Sequence, residues 1–530
     1  LPAIAFVFSR KQVELYASNI TVPLLEFDSK VAYTIRYECE QIVRKLSNYH
    51  EYLELPEYIQ LVALLEKGIG IHHSGMIPVL REIVELMISK KYIKILFATE
   101  SFAIGLDCPI KTAIFTKLSK FDGHYDRNLM PHEYTQMAGR AGRRGIDTIG
   151  NVIHCNNLFS IESMIEYKQI LGGIPQKLIS KYHISYSVIL NLIKNGQISD
   201  FHKFSEKSMV HNEMNSMIQG LNIEKEKLID EISKKDKYVI NAQTPKHICD
   251  EYLIIEQLII NSVNKRRKKA EKDKQILINN YKFIMDDVKR VILLNNMETQ
   301  LKEINNKVNN TTNFIKYQTD KICDILIKDN IIVQTTSGNS PEYEFTNIGK
   351  FASSIAEVHP VIITKLVNNE WNNFEEFSSK QLIGLFSCFT NIRVPDDYKS
   401  NVPTSNDEFV TSRIKDMTNM FIEYNNKEYE YELYTGIDYE NILQYDIIDF
   451  AMKWCDCTNE IECKQFIQND VNEMSISIGD FTKAMLKIVT IANEFIKIYE
   501  NTEHINSLHK LKMIEGMILK YIMTAQSLYV

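Results

Sequence analysis

The chain has 530 residues, 45% hydrophobic and 24% charged, a balance that excludes wholesale disorder. That length exceeds what one hydrophobic core serves, so about two to four domains are expected. With 61 Lys+Arg against 68 Asp+Glu the formal net charge is -7; any polyanion partner must therefore be held by a local basic groove, not by the global field.

The opening LPAIAFVFSR lacks the charged n-region of a signal peptide and reads as a buried strand, as expected of a chain that starts in mid-protein. No stretch approaches the length of apolar sequence a membrane helix needs. Ala3 to Ser9 is apolar, and Lys11 to Asn19 takes helical spacing. Gly70-Ile71-His72-His73 precedes a helix from Pro78 to Ser89, with Pro in its first turn. Ile93–Ala98, Thr112–Thr116 and Asn151–His154 are further β runs. Strands separated by helices of this length imply βαβ units and a parallel sheet, so residues 1–170 are expected to form an α/β domain.

Beyond residue 170 the texture changes. SYSVILNLIKNG (185–196) is an apolar helix closed by Gly196. From His211 to about Asn310 Gly and Pro are almost missing, and Met214, Met217, Leu221, Leu228 and Ile232 fall near heptad spacing, as do Met297, Leu301, Ile304 and Val308. Two long helices running out and back, joined near Asn241–Pro245, are predicted. Helix, strand (IIVQTT), a turn at Ser337-Gly338-Asn339 and a second strand (EYEF) then follow the order at the end of a winged helix. From Thr346 to Val530 the pattern is helical, with acidic, tyrosine-rich loops. Nine cysteines are scattered along the chain, an odd count that argues for free thiols in a reducing, intracellular compartment, cytoplasmic or nuclear. Cys455, Cys457 and Cys463 cluster, but without the CxxC knuckle or fourth ligand of a zinc site.

The chemistry concentrates between Gly70 and Ile153. In YTQMAGRAGRRG, helical spacing places Gln136, Arg140 and Arg143 on nearly one face, with Gly139 and Gly142 keeping the backbone bare between them. A glutamine beside two guanidiniums can hold transferring phosphate oxygens and neutralise transition-state charge; a solvated basic helix is the alternative. Upstream, the buried run Ile95–Ala98 leads into Thr99-Glu100-Ser101-Phe102-Ala103-Ile104-Gly105-Leu106-Asp107. Hydroxyls and glycine at the C-terminal end of a parallel strand are a common phosphate or nucleic-acid-backbone site, or else an ordinary βα loop.

These stretches resemble motifs IV (AFVFSRKQVE), IVa (GIGIHHSGMIPVL), V (TESFAIGLDCP) and VI (QMAGRAGRRG) of superfamily-two helicases. The spelling is similar to that of DExH-box RNA helicases of the superkiller and exosome-cofactor group. SYSVILNLIKNG resembles the start of that group's winged helix, and LIGLFSCF and the end TAQSLYV resemble its C-terminal helical (DSHCT) domain. The resemblance implies a second RecA-like lobe (1–170), a winged helix (171–345) with a helical stalk inserted at about 211–312, and a DSHCT helical bundle (346–530). It implies ATP hydrolysis with Mg²⁺, 3′-to-5′ RNA unwinding in RNA processing or decay, and possible company with an exosome-like nuclease complex. Position by position, Gln136, Arg140 and Arg143 would face the ATP γ-phosphate, with Gly105 and Asp107 nearby. Ser9, His73, Ser74, Gly75, Thr99 and Glu100 would lie along RNA. Lys483 stands where the family tends to have an RNA-contacting arginine, with a solvated lysine as the alternative.

Two departures stand beside this resemblance. No GxxxxGK[ST] loop and no DExH box after a strand occur anywhere in the 530 residues, and without a P-loop Lys and a Mg²⁺-binding carboxylate phosphoryl transfer cannot proceed. A first RecA-like lobe preceding Leu1 is therefore expected, and this chain alone should be inactive. The stalk, too, lacks a β-rich head; its run Lys265-Arg266-Arg267-Lys268-Lys269 either touches RNA phosphates or lies on a solvated helix face. The alternatives to a helicase of RNA are a non-catalytic, helicase-derived RNA-binding scaffold and a related DNA helicase.

Overall fold

The computed structural model describes residues 2–25, 29–103, 110–123, 125–142, 147–159, 163–174, 178–196, 201–240, 242–336, 341–392, 394–524 and 526–528. They form two compact units. The first comprises Leu1–Leu178, Asn347–Glu430 and Ile437–Val530, the second Ile179–Thr346 with Tyr431–Gly436.

The first unit opens with β1 (Ala3–Phe6), α1 (Arg10–Ser18), α2 (Ser29–Val43), α3 (Tyr49–Leu53), α4 (Pro56–Leu65), β2 (Ile69–His72), α5 (Pro78–Ser89), β3 (Ile95–Ala98) and β4 (Thr112–Phe115). A small hairpin, β5 (Ser119–Phe121) and β6 (Asp126–Asn128), precedes α6 (Pro131–Ala138), β7 (Asn151–His154) and α7 (Met164–Gly172). Strand order is β2-β3-β1-β4-β7, and every neighbour pair is parallel. Parallel neighbours cannot be joined by a tight turn, so helices carry the crossovers. On one face Ala5, Ile69 and Phe97 pack against Val13 and Ala17 of α1 and Leu64 of α4. Elsewhere in the sheet the Phe6 ring packs tilted against Phe115, whose ring lies 5.0 Å from Tyr134 of α6. Prolines begin α4, α5 and α6, where the missing N–H costs nothing.

The second unit contains α8 (Tyr186–Lys194), α9 (Phe201–Glu206), α10 (Met209–Ile240), α11 (Lys246–Asn261), α12 (Asn264–Asn280), α13 (Ile284–Lys328) and the antiparallel strands β8 (Ile332–Thr336) and β9 (Pro341–Phe345). The turn expected at Ser337–Asn339 lies outside the described residues. Helices α10 and α13 pack along each other, with Leu294, Met297 and Ile304 buried. The expectation of two helices joined near Asn241–Pro245 needs correction, because α11 and α12 are inserted between them. They have their own core: Cys249 and Tyr252 of α11 bury with Ile284, Val288 and Val291, and Leu277 and Ile278 of α12 pack on that cluster. The break between α11 and α12 carries no Gly or Pro. Asn264 makes it by taking φ 55°, a left-handed conformation asparagine tolerates. Lys265–Lys269 are all exposed on α12.

The first unit resumes with α14 (Asn347–Ala352), α15 (Pro360–Lys365), α16 (Ser379–Ser387), α17 (Glu408–Glu430), α18 (Ile448–Asp456), α19 (Glu460–Phe466), α20 (Ile478–Tyr499) and α21 (Ile505–Ile518). Helix α16 is buried along Leu382–Ser387 and packs on α17, α18, α20 and α21. Phe386 stacks on Phe495 of α20 at 5.6 Å. The chain then returns to the sheet-bearing part. Asn48 Nδ2 donates to the Tyr521 carbonyl at 2.8 Å, and the Ser527 hydroxyl donates to Glu82 at 2.9 Å.

Candidate functional site

Parallel strands leave their C-terminal ends facing one edge of the sheet, and the loops that follow them gather there. In this chain the loops after β1, β2 and β3 open onto a cleft of about 1250 Å³. His73, Ser74, Gly75, Thr99 and Glu100 line it, as do Arg10 and Lys11 at the start of α1. The opposite wall is the segment from Asn472 to Asp480 that leads into α20. Residues far apart in sequence thus meet on one surface. Ser9, the residue before α1, has extended backbone and supplies the carbonyl that accepts from Val13 N.

The wall is fastened at the loop following β2. Gly479 N donates to the Gly75 carbonyl at 3.1 Å, and Lys483 Nζ donates to the Ser74 carbonyl at 2.8 Å. A Cβ on Gly479 would stand 2.5 Å from the Met76 carbonyl oxygen, so only glycine permits this approach. Asp480 accepts from Arg10 and from the Ser477 hydroxyl, and pairs with Lys483 at 3.1 Å. Burial alone would raise the Asp480 carboxyl, but Arg10, Ser477 and Lys483 outweigh it and hold the pKa below the usual range. The ammonium of Lys483 therefore already has partners, which neither expectation for this lysine included.

His72 and His73 are both buried, yet they turn to different carboxylates. His72 Nε2 lies 3.2 Å from Glu85 and His73 Nε2 lies 3.1 Å from Glu14. In the same cleft Glu57 is raised by burial, with the Glu14 charge adding to it. Among the described residues no three His, Cys, Asp or Glu side chains converge as metal ligands.

The phosphate candidates lie on α6 and just past it. Gln136 is exposed in the last turn and Arg140 is half-buried beyond it. The expectation of one helical face carrying Gln136, Arg140 and Arg143 is corrected here, because α6 ends at Ala138. Gly139 caps the helix, and Gly142 takes φ 90° and donates its N–H to the Ile110 carbonyl at 2.9 Å. Gly139 keeps helical dihedrals as the C-cap, and Gly142, in the left-handed region, turns the chain after the helix has ended. Arg143, Gly105 and Asp107 lie outside the described residues. Thr99 hydrogen-bonds Ser101 at 3.0 Å, and Glu100 accepts from Lys120 at 2.6 Å.

Lys120 also reaches Glu133 of α6 at 2.8 Å, so one lysine joins the cleft rim to the helix that carries Gln136. Burial would raise Glu133, but Arg127, Lys120 and the Met130 N–H together bring its pKa down to about 2. Sequence reasoning missed Lys120, Arg10 and Asp480. For Asp480 a signal existed: Ser477-Ile-Gly-Asp480 is the S-x-x-D pattern of a capped helix start.

Residues 37–145 match the helicase conserved C-terminal domain. The antiviral helicase SKI2 of Saccharomyces cerevisiae is 41% identical over 197 residues, which is 37% of this chain and 15% of that protein. Over these residues the chain is similar to DExH-box helicases of the superkiller group. Superkiller complex protein 2 of Homo sapiens is 38% identical over 195 residues (37% of this chain, 15% of that protein). The exosome RNA helicase MTR4 of Homo sapiens is 39% identical over 205 residues (37% and 18%). The superkiller-group likeness thus spans under a fifth of each relative's length, and the parallel sheet described above is the lobe of the helicase C-terminal domain. No described helix is long and apolar enough to cross a membrane.

Proposed function

We propose that this chain is the C-terminal part of an ATP-dependent RNA helicase that unwinds 3′ to 5′. Its second RecA-like lobe, winged helix with stalk, and DSHCT bundle would work with a first lobe that carries the P-loop and DExH box. The carrying observation is the cleft: five of the RNA candidates, His73, Ser74, Gly75, Thr99 and Glu100, line it, and Lys483 donates to the carbonyl of one of them, Ser74. A single strand fits such a groove through backbone contacts, which do not depend on base sequence.

The nucleotide would lie between the first lobe and the end of α6. Gln136 and Arg140 offer an amide and a guanidinium there, and Arg143, Gly105 and Asp107 complete the proposed set. The amide and guanidiniums of this set suit a polyphosphate, which guanidiniums bind through paired N–H groups. Bound with Mg²⁺, ATP would supply a phosphoryl group for transfer to water, leaving ADP, and that hydrolysis would drive translocation. The Mg²⁺ ligands are assigned to the first lobe. This chain's residues hold the terminal phosphate and neutralise charge as it develops. Lys120, bonded to both Glu100 and Glu133, ties the helix that carries Gln136 to the cleft rim. RNA, the first lobe and an exosome-like nuclease complex are the proposed partners, inside the cell, in cytoplasm or nucleus.

The test uses the complete protein. Arg143→Ala is expected to abolish ATP turnover while leaving RNA affinity within about twofold, since arginine fingers contribute on the order of 10³-fold or more to rate. Unchanged turnover rejects the finger assignment. No turnover in the unaltered complete protein favours the RNA-binding scaffold, and equal unwinding of matched DNA duplexes favours the DNA-helicase reading.

A further inference from the structure

At the seam between α1 and α20 two cations converge on one carboxylate. Arg10 reaches Asp480 through Nη1, which also lies 3.5 Å from the Ser477 hydroxyl. Lys483 Nζ stands 3.1 Å from the same carboxylate. Both cations remain substantially exposed, 44% and 47%, whereas the Asp480 side chain is only 20% exposed. Arg10 and Asp480 both line the cleft. They flank Gly75, where a Cβ would come within 3.1 Å of Ser477 and 3.2 Å of Arg10 Cδ. A side chain at this position would require Ser477 or Arg10 to give by a few tenths of an ångström.

We propose that Arg10 is a phosphate-contacting residue of the RNA cleft, and that Asp480 occupies the place on Arg10 that an RNA phosphate takes when a strand is bound. The proposal rests on the RNA-binding reading of the cleft and extends it to residues outside the set named above. A guanidinium binds carboxylate and phosphate by the same N–H fork, so one anion can replace the other without rebuilding the site. Asp480 can give up Arg10 without being stranded. The Ser477 hydroxyl donates to its Oδ2 at 2.9 Å, and Lys483 remains in reach. Its lowered pKa keeps it ionised at neutral pH, so the competition persists under ordinary conditions. Entry of RNA would then exchange a bond across the seam for one to the strand, linking occupancy of the cleft to the fastening of α20.

The experiment is fluorescence anisotropy of a labelled oligouridylate with the full 530-residue chain, over a range of salt. Asp480→Asn retains the cap geometry and removes the competing charge. It is expected to bind about 3- to 10-fold more tightly at low salt, with a log–log salt slope steeper by about 0.7 for each phosphate gained. Arg10→Gln is expected to bind more weakly with a shallower slope, and to cancel the gain when combined with Asp480→Asn. An Asp480→Asn chain with unchanged or weaker affinity and an unchanged slope overturns the competition and leaves a merely structural seam. Should that variant fail to fold, an Arg10→Gln chain with unaltered affinity and slope overturns it equally. Absence of binding by the unaltered chain overturns both this proposal and the RNA reading beneath it.

Discussion

At the scale of single residues, Glu133 holds more of the lobe together than its place in an eight-residue helix implies. It accepts from both Arg127 nitrogens at 2.8 and 2.9 Å, from Lys120 at 2.8 Å and from the Met130 N–H at 2.8 Å. Replacing it by glutamine leaves Arg127 and Lys120 with a neutral acceptor in a largely enclosed position, a loss of about 1.5–3 kcal/mol for hydrogen bonds to a charged group. The pH dependence follows from the direction of its shift. A carboxyl held at about 2, down from 4.5, stabilises the fold fully above 4.5, and that stabilisation fades as pH falls toward 2. Urea unfolding should therefore show Glu133→Gln less stable at pH 7, with the gap from the unaltered chain narrowing below pH 4.5. A gap constant down to pH 3 rejects the assignment. This network was not legible in the sequence, because Lys120, Arg127 and Glu133 sit on a hairpin and a helix whose approach no local pattern encodes.

At the scale of elements, α20 shows what sequence can and cannot reveal. Its start was readable, since Ser477 caps it by accepting from Asp480 N, and its apolar positions repeat at helical spacing through Phe481, Ala484, Met485 and Ile488. Its seat on the loop after β2 was not, because Gly479 and Gly75 are hundreds of residues apart and a close approach leaves no local mark beyond two small residues. The α/β lobe was legible for a related reason: parallel strands covered on both faces read as apolar runs, as Ile95–Ala98 does with three of its four residues buried. The end of α6 is not legible, because periodicity carries Gln136 onward to Arg140 and Arg143, whereas the helix stops at Ala138 with Gly139 as its C-cap and the chain turns at Gly142. Gly479→Ala tests the seat directly. A methyl 2.5 Å from the Met76 carbonyl oxygen and 2.6 Å from that of Gly75 forces α20 and the loop apart, at a cost of about 1–3 kcal/mol. Thermal unfolding should shift down and proteolysis at residues 472–478 should accelerate, while Gly220→Ala, where no atom lies within 4 Å of the added carbon, leaves both unchanged or improved. Equal behaviour of the two variants rejects the seat.

At the scale of the whole molecule, the chain visits its two units out of sequence order. The first unit is interrupted by residues 179–346, and the second takes back Tyr431–Gly436 from between α17 and α18. Within the second unit that short segment is well held: Gln318 of α13 donates to the Glu432 carbonyl at 2.8 Å and accepts from Tyr434 N at 2.8 Å. Each unit has its own buried cluster, so unfolding is expected in two steps instead of one. Asp287 provides the probe that separates them. It is buried at the start of α13, where its Oδ2 accepts from the Thr244 N–H at 3.0 Å and its Oδ1 faces Arg290 at 3.3 Å. Asp287→Ala strands the buried Thr244 N–H, a penalty of about 1–3 kcal/mol. For a unit of this size each kcal/mol lowers the midpoint by about 2–4 °C. Differential scanning calorimetry of the variant should lower one transition by several degrees and leave the other in place, with Glu133→Gln moving the opposite one. If both substitutions shift a single shared transition together, the two units do not unfold independently.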